Sequence, residues 1–409
     1  KRGLLEQNIV LGNALVDMYS KCGAIQKAQE VFDKLPKHDI VSWNSLVAGY
    51  AEHGTTDETL SCFFKMKSAG FSPDAVTFIC LLKVCGSIGY LKMGEAIHTE
   101  IHKKGLIKSN IVLGTALIDM YTKCKVLDKA QEVFNELSCR NVLSWNALIS
   151  GYAQHGLGDE ALKYYKQMQD EGYSPDVVTF ICVLKACCSI GFLEIGEEIH
   201  AKVNMEGLLQ KDVVLGTALV DMYAKSGVIR KAQEVFDSLP NRNVVTWNSL
   251  LTGYAQLGQA QKVIILFHQM LVENIVPDLV TFLVLLNACN HGGLIEEGQI
   301  FFSDMTLIYG LYPTYEHCSC MVDLLSHAGH FDKAMRIIEN VVSSDRLHLY
   351  LALLGACHKC VNVELGKWAF DQSIQLDEKC TAAYVCMRNI YAAAGMHEEM
   401  LSLKLESSR

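Results

Sequence analysis

The sequence has little proline, no excess of positive charge and no long apolar run. Six prolines in 409 residues leave room for long stretches of helix, because proline removes a backbone donor and breaks a helix interior. A net charge of −9 argues against a sequence-blind binder of polyanions, which needs a strongly basic face. It leaves open a nucleic-acid binder with a local basic stripe and direct base contacts. No uninterrupted apolar stretch approaches the roughly 18–20 residues that span a bilayer, so no membrane partner is expected. No secretory signal or transit peptide is visible at Lys1. Lys1 to Asn8 instead matches the stretch Lys104 to Asn110 inside a repeat, so the sequence reads as a piece of a longer protein. The one Cys-x-x-Cys, Cys357-His358-Lys359-Cys360, lacks a second ligand pair at zinc spacing. No metal and no cofactor is expected.

What is present is repetition. Leu113-Gly114-Thr115-Ala116-Leu117-Ile118-Asp119-Met120-Tyr121 returns as Leu215 to Tyr223, 102 residues on, and an earlier copy runs from Leu11 to Tyr19. Half of the residues are apolar and a fifth are charged, enough to bury a substantial core. A chain built this way is a stack of units, and its function is expected along a surface read unit by unit.

Each long period holds three shorter units. In the second copy these are Ile111 to Asn141 with 31 residues, Val142 to Asp176 with 35, and Val177 to Asp212 with 36. Trp145, Leu148, Ile149 and Tyr152 fall on one face of a helix, and Leu162, Tyr165 and Met168 continue at helical spacing after a Gly-containing turn. Pro175 closes the unit. In the shortest unit Leu127, Ala130, Phe134 and Leu137 mark the second helix. Each unit is therefore expected to be a helix–turn–helix hairpin that buries its apolar face only by stacking on its neighbours.

Sixteen cysteines suggest disulfides at first, but they recur at matching places: Cys80 with Cys182, Cys85 with Cys187, Cys22 with Cys124. That pattern reads as small buried hydrophobes in a reducing compartment. Trp43, Trp145 and Trp247 sit on the apolar stripe and read as core, as does Trp368. His98 and His200 read as structural. Lys125 replaces the turn glycine found at Gly23 and Gly227, so that turn either avoids positive φ or is strained.

These motifs resemble the plant pentatricopeptide repeat (PPR) proteins, in particular the PLS class with alternating long and short repeats. The resemblance rests on Val41-Ser42-Trp43-Asn44, Leu143-Ser144-Trp145-Asn146 and Val245-Thr246-Trp247-Asn248 in the standard repeats. It rests also on Val76-Thr77-Phe78 and Val178-Thr179-Phe180 in the long repeats, and on Asp17-Met18-Tyr19-Ser20-Lys21-Cys22-Gly23 in a short one. Cys320-Met321-Val322-Asp323-Leu324-Leu325 looks like the last short repeat. Leu353-Leu354-Gly355-Ala356-Cys357 and Asn389-Ile390-Tyr391-Ala392-Ala393-Ala394-Gly395 look like the E-type C-terminal extension motifs of that class. The organisation implied is a repeat tail at 1–8, tandem repeats at 9–314, a final short repeat at 315–345 and the extension at 346–409.

The resemblance implies an all-α, right-handed α-solenoid that binds single-stranded RNA, about one base per repeat. Members with such extensions act in C-to-U editing of mitochondrial or chloroplast transcripts, many with a zinc deaminase domain. That chemistry needs a His-x-Glu with a Cys-x-x-Cys. The chain reaches Arg409 without that constellation, so recognition without catalysis is expected, with a deaminase domain supplied in cis or in trans beside other editing factors.

In the family the fifth residue and the last residue of a repeat read the base. With Val142 as a first residue, the standard repeats yield Asn44 with Asp74, Asn146 with Asp176, and Asn248 with Asp278. The short repeats yield Asn13 with Asp39, Thr115 with Asn141, and Thr217 with Asn243, while the final one places Ser319 at the fifth position. An Asn or Asp just before a helix is equally well explained as an N-cap. Yet each fifth-position Asn is partnered by Asp and each fifth-position Thr by Asn. Asn and Asp cap about equally well, so capping does not explain the matching. A two-residue code does, and duplication would carry it from copy to copy.

An Asn amide offers donor and acceptor to a pyrimidine edge, and an ionised Asp only accepts. By the family's code Asn with Asp favours U and Thr with Asn favours A. The long repeats have Ile79, Ile181 and Leu283 at the fifth position, which cannot hydrogen-bond a base. The register expected from the RNA 5′ end is U-U-n-A-U-n-A-U-n. Second-position Val41, Val112, Leu143, Val178, Val214 and Val245 either sandwich bases or pack between repeats. Two other functions compete: a protein–protein scaffold, favoured by the acidic charge, and an RNA stability or splicing factor. An enzyme is the weakest reading.

Overall fold

The computed structural model describes residues 8–108, 110–341 and 346–406. Positions 1–7, most of the expected repeat tail, lie outside the described residues, as do the last three positions of the expected extension. Among the described residues there are twenty-four α-helices, one 3₁₀ turn at Leu208–Gln210, and no strand. None of these helices is long and apolar enough to cross a membrane.

Helix starts are written in the links. Asp176 Oδ1 accepts from Thr179 N at 2.8 Å, and Thr179 Oγ1 accepts from Asp176 N at 3.1 Å. This reciprocal capping box satisfies two backbone donors that a helix start leaves orphaned. Asp39 with Ser42, Asp74 with Thr77, Asn141 with Ser144 and Asp278 with Thr281 repeat it. The register expected from Val142 is the observed one, since helices begin at Val142, Val177 and Val213.

The chain forms two compact units, Lys1–Lys202 and Val203–Arg409. In the first, the helices Ile9–Lys21, Ile40–His53, Ala75–Ile88, Ile111–Lys123, Val142–Gln154 and Val177–Ile190 pack side by side in one layer. Second helices such as Leu127–Glu136 lie against their own first helix and the first helix of the next hairpin. In the second unit Val213–Lys225, Val244–Gln256, Leu279–Gly292, Tyr315–His327, Arg346–Cys360 and Thr381–Ala393 form the corresponding layer.

The three tryptophans of the standard repeats are core, as expected. Trp43, Trp145 and Trp247 are buried, and each meets Phe32, Phe134 or Phe236 of the preceding second helix edge-on at 4.6–4.7 Å. Such a pair contributes about 0.5–1.5 kcal/mol beyond its buried area. Trp368 differs: it is only half-buried, edge-on to Tyr350.

Three glycines set the spacing of neighbouring first helices. A Cβ on Gly151 would lie 2.7 Å from Thr122 Cβ, and Gly49 and Gly253 stand equally close to Ser20 and Ala224. Only a hydrogen fits where two backbones approach this nearly.

The cysteines are free thiols. Cys85 and Cys187 are buried as expected, and burial pushes both thiols up to about 11. Cys22 and Cys124 are not buried hydrophobes: they close the first helices of their short repeats, where Cys22 is exposed and Cys124 half-exposed. Lys125 takes φ 62°, so its turn is of the strained kind.

Candidate nucleic-acid interface

Consecutive first helices bring fifth and last residues together. The last residue of a repeat caps the next first helix, which packs beside the helix that carries the fifth residue. A residue thirty positions away in sequence thereby becomes a hydrogen-bond partner.

All four Asn–Asp pairs make that bond. Asn146 Nδ2 donates to Asp176 Oδ1 at 2.9 Å, and Asn248 Nδ2 to Asp278 Oδ1 at 2.9 Å. Asn44 Nδ2 reaches both oxygens of Asp74, at 3.0 and 2.9 Å, and Asn13 both of Asp39, at 3.1 and 3.2 Å. The matching of Asn with Asp thus has an intramolecular cause. Capping does not distinguish the two residues, but only a carboxylate offers two acceptors and a charge to the incoming N–H.

Burial works against the ionised form of Asp39 and Asp176. Hydrogen bonds outweigh it, from Ser42 and Asn13 in one case and from Thr179 and Asn146 in the other, and hold both carboxyls below the ordinary value. Both are therefore acceptors only near neutral pH.

The Thr–Asn pairs are built differently. Thr115 Oγ1 donates to Ile111 O at 2.9 Å, and Thr217 Oγ1 stands 2.8 Å from Val213 O, so both hydroxyls are engaged with their own helices. Asn141 and Asn243 cap the next helices. Thr217 meets Asn243 only through Thr246, whose hydroxyl lies 2.6 Å from Thr217 Oγ1 and 3.0 Å from Asn243 Oδ1. Arg242, just before Asn243, stacks over Phe236 at 4.6 Å and pairs with Glu273 at 2.7 Å. Arg140 anchors Asn141 in the same way, over Phe134 at 4.7 Å and against Glu171 at 2.9 Å.

The second-position residues are open to solvent over much of their surface. Val41, Val112, Leu143, Val178, Val214 and Val245 are each more than half exposed, from 51% to 62%. Val10, Val76 and Val280 occupy the same position and are exposed to a similar degree. Sequence reasoning passed over these three, although each is the second residue of a first helix. Ile79, Ile181, Leu283 and Ser319 are half-buried at the fifth positions.

Other singled-out groups lie elsewhere. His98 Nδ1 is 2.8 Å from Tyr121 Oη, a structural contact. Cys357 is buried and Cys360 exposed. Among the described residues no three His, Cys, Asp or Glu side chains cluster to hold a metal.

The repeats match known families. A model described as the PPR repeat family matches residues 38–87, 140–189 and 242–291. One described as the PPR repeat matches 13–40, 115–142, 217–244 and 316–345. The mitochondrial pentatricopeptide repeat-containing protein At1g06140 of Arabidopsis thaliana is 36% identical over 394 residues, 96% of this chain and 70% of the relative. The chloroplastic protein At1g11290 of the same plant is 36% identical over 98% of this chain and 49% of its own length. The chain therefore spans between about half and 70% of the length of these relatives. Among solved structures, PPR10 in complex with an 18-nt psaJ RNA element superposes with a TM-score of 0.66 at 18% identity, over 98% of this chain and 64% of that one. That likeness establishes the stacked helical-repeat fold. On the matched repeats and on its identity to full-length relatives, the chain belongs to the pentatricopeptide repeat family.

Proposed function

We propose that the chain reads single-stranded RNA, one nucleotide per repeat, along the line of fifth and last residues. The observation that carries this reading is a conjunction repeated in the standard repeats and in the first short one. An exposed aliphatic residue stands three positions before an Asn held by a carboxylate. Exposed aliphatic side chains in series offer faces for bases, and the polar pair offers an edge. Asn44, Asn146, Asn248 and Asn13, each with its Asp, read U, and Thr115 and Thr217 with their Asn read A. Ile79, Ile181 and Leu283 read loosely, so the register is U-U-n-A-U-n-A-U-n.

The finer assignment follows the PLS pattern. Repeats at 9–314 and a final short repeat at 315–345 place the RNA, and the E-type extension at 346–409 engages a deaminase domain in cis or in trans. The target is then the element upstream of a C-to-U editing site in a mitochondrial or chloroplast transcript. The net charge of −9 favours one competing reading, a scaffold for protein partners. Selection of randomised single-stranded RNA on the purified chain tests the proposal. Enrichment of the stated register supports it, and no enrichment of any RNA overturns it in favour of the scaffold.

A further inference from the structure

We infer that the third residue of the following repeat is a further specificity determinant, because its hydroxyl, acting with the Asp carboxylate, holds the base-reading Asn in one orientation. The inference rests on the base-reading role proposed above.

One geometry recurs at the junctions from standard to long repeats. Thr77 Oγ1 donates to Asn44 Oδ1 at 2.6 Å, Thr179 Oγ1 to Asn146 Oδ1 at 2.6 Å, and Thr281 Oγ1 to Asn248 Oδ1 at 2.7 Å. These threonines are fully buried. The nitrogen of the same amide donates to the Asp of its own repeat. The amide is thus held at both ends, its oxygen by a hydroxyl and its nitrogen by a carboxylate. Reversal would set the amide oxygen against the carboxylate and break the Asn–Asp bond, and it would turn the hydroxyl from donor to acceptor, with its proton left for the Asp Oδ1 that stands 2.9–3.1 Å away.

A fixed polarity selects a base edge. What remains on the Asn is one N–H beside a carboxylate that only accepts, and one lone pair on the oxygen that the hydroxyl holds. Uracil presents a carbonyl oxygen next to N3–H, which matches that order of donor and acceptor. Cytosine presents an unprotonated N3 next to its amino group, which reverses it. An amide held only at its nitrogen turns more easily to accept from that amino group, which weakens the distinction.

The first short repeat lacks the lock. Asn13 makes the same contacts to Asp39, but the residue in the Thr77 position is Ser42. Ser42 Oγ lies 2.7 Å from Asp39 N and 2.8 Å from Asp39 O. Asn13 Oδ1 is left buried without a hydrogen-bond partner among the described residues. The methyl group of threonine restricts its χ1, whereas serine turns freely to the backbone. The four Asn–Asp pairs therefore fall into two kinds, three with this hydroxyl on the amide and one without.

The test measures binding of the purified chain to RNAs with U or C at the nucleotide read by Asn44 or by Asn13. In the unaltered chain the U-over-C ratio is expected to be larger at the Asn44 nucleotide. Thr77→Val is expected to lower that ratio about threefold to tenfold, the worth of one hydrogen bond, and to leave the ratio at the Asn13 nucleotide unchanged. Ser42→Thr is expected to raise the ratio at the Asn13 nucleotide by a similar factor. This second variant keeps a capping hydroxyl, so the test survives if Thr77→Val folds poorly. Ratios that stay fixed in both variants, whatever happens to overall affinity, overturn the positioning role and leave base reading intact. A chain that binds RNA without preferring U over C at either nucleotide overturns the base-reading role and this inference with it.

Discussion

Asn146 Nδ2 donates to Asp176 Oδ1 at 2.9 Å, joining the fifth residue of a repeat to its last across 30 positions of sequence. The same Asp caps the next helix through Thr179. One carboxylate thus serves the fold and the candidate reading surface together, and changes at Asp176 will be felt in both.

That double role predicts an acid limit on stability. Asp39 and Asp176 have carboxyls held below the ordinary 3.8. A group depressed on folding contributes stability that is fully present above its unfolded pKa and is lost as pH falls through the folded one. Denaturation midpoints should therefore show no contribution from these two groups to a pH slope between roughly pH 5 and 8. Below about pH 4 the midpoint should fall. Asp39→Asn with Asp176→Asn, which keeps both caps, should flatten that acid slope, and an unaltered slope would remove these residues from the account.

Gly151→Ala should destabilise the chain. Its Cβ would stand 2.7 Å from Thr122 Cβ on the neighbouring first helix, and Thr122 Cβ cannot move without its backbone. Overpacking of this kind costs about 1–3 kcal/mol, of which better helix propensity returns up to about 1. Because these two helices carry Thr115 and Asn146, the substitution should also spread consecutive candidate reading positions. Thermal unfolding gives the sign, and a stabilised variant would contradict the close approach.

Lys125→Gly should stabilise it. Lys125 holds φ 62°, a conformation that costs an L side chain roughly 1–2 kcal/mol and glycine almost nothing. A melting temperature that stays or falls would show that the Lys125 side chain makes compensating contacts.

Much of this architecture was legible before the fold. Trp145, Leu148, Ile149 and Tyr152 mark a helix face by spacing alone, and that face is buried. The Asn–Asp matching was visible as a pattern of letters. Its intramolecular cause was not, because Asp176 meets Asn146 only when two first helices stack. The Thr179 hydroxyl on Asn146 was hidden for the same reason: in sequence Thr179 is merely the third residue of a helix. Gly151 looks like a weak point in a helix until its neighbour is known. Cys22 and Trp368 misled because recurrence and apolarity do not report whether the next hairpin covers a given position.

The base-reading assignment is tested most directly by Thr217→Asn combined with Asn243→Asp. Thr246 already lies 2.6 Å from the Thr217 hydroxyl, so the double variant rebuilds the arrangement of Asn44, Asp74 and Thr77. Selection of randomised single-stranded RNA on both proteins should show the preference at one nucleotide change from A to U, with the rest of the motif retained. A selected motif identical in the two proteins would contradict the assignment.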